Sequence, residues 1–213
     1  MSLSLQAERS KSFSNNGISI NALTPTEREN ILTKASAMYN VYWTPTSNVR
    51  GWKNGNTFYA GTSYKGIPYS QTEYQRDDTN FRISESGFYD NYTRFNIIMP
   101  KYGNDCSAYV SYAFGLSRKI TTDYINGIKN GTYPKVGSYN ANSPTYTELY
   151  NAYGSLQYGD AVVNTGHMFI IGAAYGTGGT TYICYEQTPP QVQYTIWYRA
   201  DLANQNYLPF SKK

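Results

Sequence analysis

The last third of the chain alternates short apolar runs with turn residues, and this pattern limits the fold more than any other feature of the sequence. Residues 160–163, 167–174, 180–186 and 191–198 each have the length of a β-strand. The turn Gly176-Thr177-Gly178-Gly179 separates the second run from the third. Because short connections join antiparallel strands, we predict an antiparallel sheet here.

Two helix starts precede the predicted sheet. In Thr24-Pro25-Thr26-Glu27, an N-cap threonine, a proline at the first helical position and a glutamate placed for a capping box predict a helix that ends before Pro45. Asp105 is a good N-cap for a second helix that begins at Cys106 and stops before Gly115. Helices packed on an antiparallel sheet predict an α+β fold. The apolar face of the first helix is predicted to comprise Ile31, Leu32, Ala35, Met38, Tyr39 and Tyr42.

The remaining segments carry weaker signals. Residues 1–23 are polar and predict an N-terminal arm, so that residues 24–213 form a single domain. Residues 44–103 show no sustained period and predict loops and short turns. Asn126-Gly127 and Asn130-Gly131 predict a linking region.

Composition narrows the class of protein. Aromatic residues make up 16% of the chain, with 24 tyrosines, and charged residues only 15%, which predicts an ordered globular protein similar to secreted ones. The net charge of +4 is spread without a basic run, so nucleic acid is not an expected partner. No stretch approaches the ~20 apolar residues of a membrane span, so no transmembrane segment is expected. Residues 1–6 lack the basic start and apolar core of a signal peptide.

Cys106 and His167, the only histidine of the chain, are candidates for a nucleophile and its base. A thiol is mostly protonated at neutral pH, and a helix N-terminus and an adjacent imidazole favour the reactive thiolate. The backbone N–H of Cys106 could stabilise an oxyanion. The alternatives are a buried structural cysteine, a satisfied core histidine, or a disulfide between Cys106 and Cys184. One histidine and two separated cysteines are too few for a zinc site, so no metal is expected.

A third polar group is needed to orient the imidazole. Glu186 and Gln187 end a predicted strand, and strand alternation directs only one of them to the inner face. We favour Glu186, because a carboxylate stabilises an imidazolium better than an amide, and Gln187 is the alternative third catalytic residue. Asp160 could also be the partner, although Gly-Asp before a strand is typical of a turn.

The order of these motifs resembles that of the NlpC-type cell-wall cysteine peptidases. Pro68-Tyr69, Asp105-Cys106-Ser107, Gly159-Asp160 and Gly166-His167 follow the NlpC-type pattern in sequence order. The strand end Glu186-Gln187 looks more like that of the CHAP amidases, in which glutamate is the third catalytic residue. The resemblance covers roughly residues 60–190 and implies a papain-like fold, with N-terminal helices packed on a central antiparallel sheet.

The resemblance also implies substrate-binding residues, namely Tyr69, Asp105 and Ser107. In the NlpC-type family the tyrosine and the aspartate help to bind the free amino end of a wall peptide. The chain departs from the family at Ala108, where glycine is usual, and at Ser70-Gln71-Thr72, where Trp-Gly-Gly is usual. The segment from Tyr69 to Cys106 is also longer than usual, so these differences bear on specificity.

The sequence and the resemblance together predict a bacterial cysteine peptidase or amidase that cleaves peptidoglycan stem peptides through an acyl-enzyme on Cys106. The resemblance implies an extracellular or wall-associated monomer, a peptidoglycan peptide as partner, and no cofactor. One alternative is a catalytically silent wall-binding module. The other is a Cys-His acyltransferase or amidase that acts on a non-wall amide.

Overall fold

The computed structural model describes residues 22–176 and 178–213. Residues 1–21 of the predicted N-terminal arm lie outside the described residues. Leu23, at the end of that arm, is buried in the main core.

The described chain contains five α-helices, which are α1 (Pro25–Tyr39), α2 (Cys106–Phe114), α3 (Thr121–Asn130), α4 (Tyr146–Ala152) and α5 (Arg199–Asn204). Two short 3-10 turns lie at Trp52–Asn54 and Tyr153–Ser155. None of the helices in residues 22–176 and 178–213 combines the length and the apolar character needed to cross a bilayer.

A five-stranded antiparallel sheet forms the centre of the fold. Its strands are β7 (Ala161–Val163), β8 (Met168–Tyr175), β9 (Thr181–Thr188), β10 (Gln191–Tyr198) and β11 (Leu208–Phe210), in the spatial order β10-β9-β8-β7-β11. The four C-terminal strands predicted from the sequence are therefore confirmed. The order of the first four follows the chain because each connection is short, whereas β11 returns through α5 to pair with β7.

Three two-stranded ladders lie outside this sheet. They pair β1 (Tyr42–Trp43) with β4 (Tyr64–Lys65), β2 (Val49–Arg50) with β3 (Thr57–Phe58), and β5 (Asn91–Arg94) with β6 (Ile97–Pro100). The last pair turns through Phe95 and Asn96, both with positive φ. Two-residue hairpins usually carry Asn-Gly or Asp-Gly at these positions, so the sequence contained no clear signal for this one.

The predicted start of α1 is confirmed in detail. The Thr24 hydroxyl accepts from the Glu27 N–H, and the Glu27 carboxylate accepts from the Thr24 N–H, which completes a capping box. Ile31, Leu32, Ala35 and Met38 are buried, as the spacing predicted. Tyr42 is an exception: the helix stops at Tyr39, and Tyr42 lies in β1 with 67% of its surface exposed.

Helices α1 and α2 pack together and cover the central sheet. The fully buried Tyr109 of α2 donates a hydrogen bond from its hydroxyl to the Ala35 carbonyl of α1, at 2.8 Å. One continuous core joins these helices to apolar residues of β7, β8 and β9. The mixed helix-and-sheet architecture confirms the predicted α+β class.

Residues 126–131 do not form the predicted linking region. Asn126 and Gly127 lie inside α3, and only Gly131, with φ of 82°, ends a helix. Gly127 is buried, and a Cβ at this position would collide with the ring of Tyr133. The glycine therefore permits a close approach within a helix, which a sequence cannot distinguish from a turn glycine.

Candidate active site

Cys106 is the first residue of α2, as predicted. Asp105 is the N-cap, and its side chain accepts from the Ala108 N–H at 2.7 Å. The N–H groups of the first helical residues have no acceptor within the helix, so those of Cys106 and Ser107 remain available to a bound group. Cys106 and Cys184 are both free cysteines, so the alternative of a disulfide between them is wrong.

His167 immediately precedes β8, in a loop that one side chain fixes. The Asn164 side-chain oxygen accepts from the Gly166 N–H at 2.9 Å and from the His167 N–H at 2.8 Å. The Asn164 side chain therefore fixes the conformation of the loop that leads into β8. Asn164 was not among the predicted site residues.

Glu186 is the residue that contacts the imidazole. Strand β9 lies beside β8, and Oε1 of Glu186 is 2.7 Å from Nε2 of His167. Gln187 is fully buried and donates from its side-chain nitrogen to the Ile67 carbonyl at 3.1 Å. Of the two candidates at the strand end, only Glu186 therefore orients His167, because adjacent strand residues face opposite sides.

The surroundings of His167 favour its charged form. Burial lowers the pKa of His167, but hydrogen bonds to Cys106 and Glu186 and the negative charge on those groups outweigh burial and raise it to about 9. Nε2 bonds Glu186, which leaves Nδ1 to face Cys106. Burial raises the pKa of Glu186. The hydrogen bond to His167, the charge of His167 and the other hydrogen bonds of the carboxylate together outweigh burial, so the pKa of Glu186 is lowered.

The second oxygen of Glu186 has its own donor. The indole nitrogen of Trp197, on β10, lies 3.1 Å from Oε2 of Glu186. The Trp197 ring also stacks on Phe169, which follows His167 closely in β8. Trp197 therefore fixes the position of the Glu186 carboxylate, which in turn orients the imidazole of His167. Trp197 was not among the predicted site residues, because its contact with Glu186 joins two different strands.

Asp160 is not a partner of His167. Its Oδ1 accepts from Nη1 of Arg28 at 2.8 Å, and its Oδ2 accepts from the Gln157 N–H at 2.9 Å. Both charged side chains are almost fully buried. Asp160 thus ties α1 to the start of β7 and belongs to the scaffold.

Tyr69 lies close to the candidate nucleophile. Burial raises the pKa of Tyr69 most, and a negative charge on Cys106 adds to this effect. The Tyr69 hydroxyl accepts from the Gln71 side-chain nitrogen at 2.9 Å, and the ring packs edge-on against Trp52. Gln71, one of the residues that depart from the family pattern, therefore orients the tyrosine.

Asp105 and Ser107 are engaged within the protein. The Ser107 hydroxyl donates to Oδ1 of Asp105 at 2.7 Å, on the same oxygen that caps the helix. Oδ2 of Asp105 accepts from Nη2 of Arg118 at 2.7 Å. The charge of Asp105 is therefore balanced by Arg118, which belongs to none of the motifs recognised in the sequence.

A cavity of about 330 Å³ opens beside Cys106. The residues that line it come from five separate segments of the chain, which are Gln71, Arg94, Phe95, Asp105, Cys106, Ser107, Arg118, Ile120, Thr121, Thr165 and Gly166. It is large enough for part of a peptide and it adjoins the loop that carries His167. Among the described residues, no cluster of three or more histidine, cysteine, aspartate or glutamate side chains could hold a metal ion.

Comparisons with protein-family models, with curated proteins and with solved structures found no match to this chain. We therefore infer function from the geometry of the site and from the motif resemblance.

Proposed function

We propose that the protein is a cysteine hydrolase that cleaves an amide bond through an acyl-enzyme on Cys106. The main support for this proposal is the arrangement of Cys106, His167 and Glu186, in which the imidazole contacts both the thiol and the carboxylate. A thiol, a base and a group that orients the base form the minimal set for nucleophilic catalysis by cysteine.

In the proposed reaction, the Cys106 thiolate attacks the carbonyl carbon, and the carbonyl π electrons move to oxygen. The N–H of Cys106 at the start of α2 donates to the oxyanion. Protonated His167 then gives its proton to the amide nitrogen while the C–N bond breaks, which leaves an acyl thioester. Water attacks the thioester, His167 accepts the proton of that water, and the S–C bond breaks to restore the thiolate.

Three features of the site support these roles. The raised pKa of His167, about 9, keeps the imidazole protonated at neutral pH, as a thiolate–imidazolium pair requires. Glu186 bonds Nε2 and therefore orients Nδ1 towards the sulfur. The cavity beside Cys106 gives a substrate access to the sulfur.

We propose peptidoglycan stem peptides as the substrate, with a papain-like, NlpC-type fold. This choice depends on the ordered motifs Pro68-Tyr69, Asp105-Cys106-Ser107 and Gly166-His167. The engagement of Asp105 with Arg118 argues against a direct role of this carboxylate in binding a free amine.

The test is digestion of purified peptidoglycan by the wild type and by Cys106→Ala, with mass analysis of the released fragments. We expect fragments from the wild type alone, and their masses identify the bond. Cys184→Ala is the matched control, because Cys184 is a free cysteine that is fully buried in β9. Equal release by the wild type and Cys106→Ala would contradict the assigned nucleophile.

The two alternative functions are separated by a peptidoglycan-binding assay and by an assay with non-wall amides and an added amine. Binding to peptidoglycan without release of fragments would indicate a catalytically silent wall-binding module. Release that depends on Cys106 from a non-wall amide, with transfer to an added amine, would indicate an acyltransferase.

A further inference from the structure

We propose that the cavity beside Cys106 binds a carboxylate of the substrate, next to the amide bond that is cleaved, and that Arg94 selects it. The identification of the cavity as a substrate subsite rests on the proposed function. Attraction of an anion to the cavity, close to the Cys106 sulfur, does not depend on the proposed function and is tested separately.

Arg94 provides a positive charge to the cavity, and no carboxylate of residues 22–176 or 178–213 balances it. It ends β5, beside the turn at Phe95, and both residues line the cavity. Its Nη1 donates to the Gln71 carbonyl at 2.9 Å, and its guanidinium lies over the Phe95 ring at 5.0 Å. Within the described residues the acceptor of Arg94 is thus a neutral carbonyl, so its charge is uncompensated and most of its five donors are free.

The second arginine of the cavity has a partner. Arg118 donates to Oδ2 of Asp105 at 2.7 Å, and 39% of its side chain is exposed. The charges of Arg118 and Asp105 therefore cancel approximately, and Asp105, the single carboxylate among the described residues that line the cavity, is not free to repel an anion. The guanidinium of Arg118 still has N–H groups that can donate to a ligand.

The remaining lining residues are uncharged apart from Cys106 itself, and His167 adjoins the cavity through Gly166. The sum over Arg94, Arg118 and Asp105 is one positive charge, while the charges of the Cys106 thiolate and the His167 imidazolium offset each other. A planar guanidinium binds a carboxylate through two parallel hydrogen bonds, which makes a carboxylate the anion that fits best among peptide groups.

The test compares two reagents of nearly the same size, anionic iodoacetate and neutral iodoacetamide. In both reactions the Cys106 thiolate displaces iodide from carbon, so that an S–C bond forms and the C–I bond breaks. The ratio of the two alkylation rates at neutral pH, measured by intact mass, reports the local charge. We expect Arg94→Gln to lower the iodoacetate-to-iodoacetamide ratio about threefold to tenfold.

Three variants control the measurement. Lys129→Gln removes the same charge at the far end of α3, away from the cavity, and should leave the ratio unchanged. Arg94→Lys keeps the charge and should preserve most of the ratio. This variant therefore distinguishes the effect of the positive charge from that of the guanidinium shape. Cys106→Ala should be alkylated by neither reagent. For Arg94→Gln, an unchanged rate of alkylation by iodoacetamide shows that the variant is folded.

Two outcomes would overturn the proposal. One is an equal ratio in the wild type and Arg94→Gln. The other is no alkylation of Cys106 by either reagent, because the cavity would then not open onto the sulfur.

Peptidoglycan whose carboxyl groups have been converted to amides provides the link to function. We expect it to be cleaved more slowly than untreated peptidoglycan by the wild type, and at the same rate as untreated by Arg94→Gln. If neither untreated nor amidated peptidoglycan is cleaved but Arg94→Gln still lowers the alkylation ratio, peptidoglycan is not the substrate. The cavity would then still be an anion-binding site.

Discussion

The indole nitrogen of Trp197 donates to Oε2 of Glu186 at 3.1 Å, while Oε1 of the same carboxylate contacts His167 at 2.7 Å. Strands β9 and β10 thus contribute Glu186 and Trp197, and the loop immediately before β8 contributes His167, to one hydrogen-bonded set of side chains. The carboxylate is held on both oxygens, which fixes the plane of the imidazole relative to Cys106.

Trp197→Phe is expected to slow hydrolysis about tenfold, because it removes a hydrogen bond to a charged group, worth about 1.5–3 kcal/mol, while it keeps an aromatic ring. The rate of peptidoglycan hydrolysis checks this. Tyr198→Phe is the control, since Tyr198 is the exposed neighbour on the same strand. A purely structural role would lower the free energy of unfolding of Trp197→Phe without altering the pH dependence of Cys106 alkylation.

Cys106→Ala is expected to lower the pKa of His167 from about 9 towards its ordinary value of 6.5. Burial already lowers this pKa, and the variant removes one of the two groups that raise it. Because His167 is the only histidine, one imidazole C2 proton in an NMR titration reports the value without ambiguity. Cys184→Ala should leave the titration unchanged, and an equal pKa in wild type and Cys106→Ala would argue against contact between the thiol and the imidazole.

The stability of the wild type is expected to depend on pH through His167 and Glu186. The pKa of His167 is raised from 6.5 to about 9, so its contribution is complete below pH 6.5 and is lost as the pH rises through about 9. The pKa of Glu186 is lowered, so its contribution is present above the ordinary value of 4.5 and is lost as the pH falls through the lowered pKa.

Urea unfolding of the wild type and Glu186→Gln can measure this dependence. The difference in the free energy of unfolding should be larger at about pH 6 than at about pH 10, by at most about 3 kcal/mol. Comparison at matched pH cancels the titration of the tyrosines. A difference that does not vary with pH would contradict the ion pair.

Arg28→Met is expected to lower the free energy of unfolding by about 3–5 kcal/mol, because it leaves the buried Asp160 carboxylate without its counter-charge. Urea unfolding checks this, and the additional change Asp160→Asn should recover part of the loss. Asp90→Asn, which breaks the exposed contact with Lys101, should cost only about 0–1 kcal/mol. If Asp160→Asn alone altered the pKa of His167, the structural role of Asp160 would be wrong.

Local chemistry explains which predictions were confirmed. The capping box of Thr24 and Glu27 and the N-cap at Asp105 depend on residues within one helical turn, so the sequence carries them completely. The strands β7 to β10 were predictable for the same reason, since a strand's period and its turns are local. The short helices α4 and α5 were missed because their few residues show little periodicity, although α4 begins with a capping box of Thr145 and Glu148 that is a local signal of a helix start.

Contacts between distant segments explain the rest. Side-chain chemistry favoured Glu186 over Gln187, but only the pairing of β8 with β9 shows which of them contacts His167, because the register selects the neighbour that faces it. The contact of Trp197 with Glu186 and the pairing of Arg118 with Asp105 are also contacts between distant segments, so no local pattern predicts them. The position of Arg94 was not predictable either, because its hairpin lacks a turn signature. Local sequence signals thus predict the helix that presents Cys106 and the strand that follows His167. Their hydrogen-bond partners come from the packing of the whole chain, since a hydrogen bond between remote segments forms only when those segments are brought together.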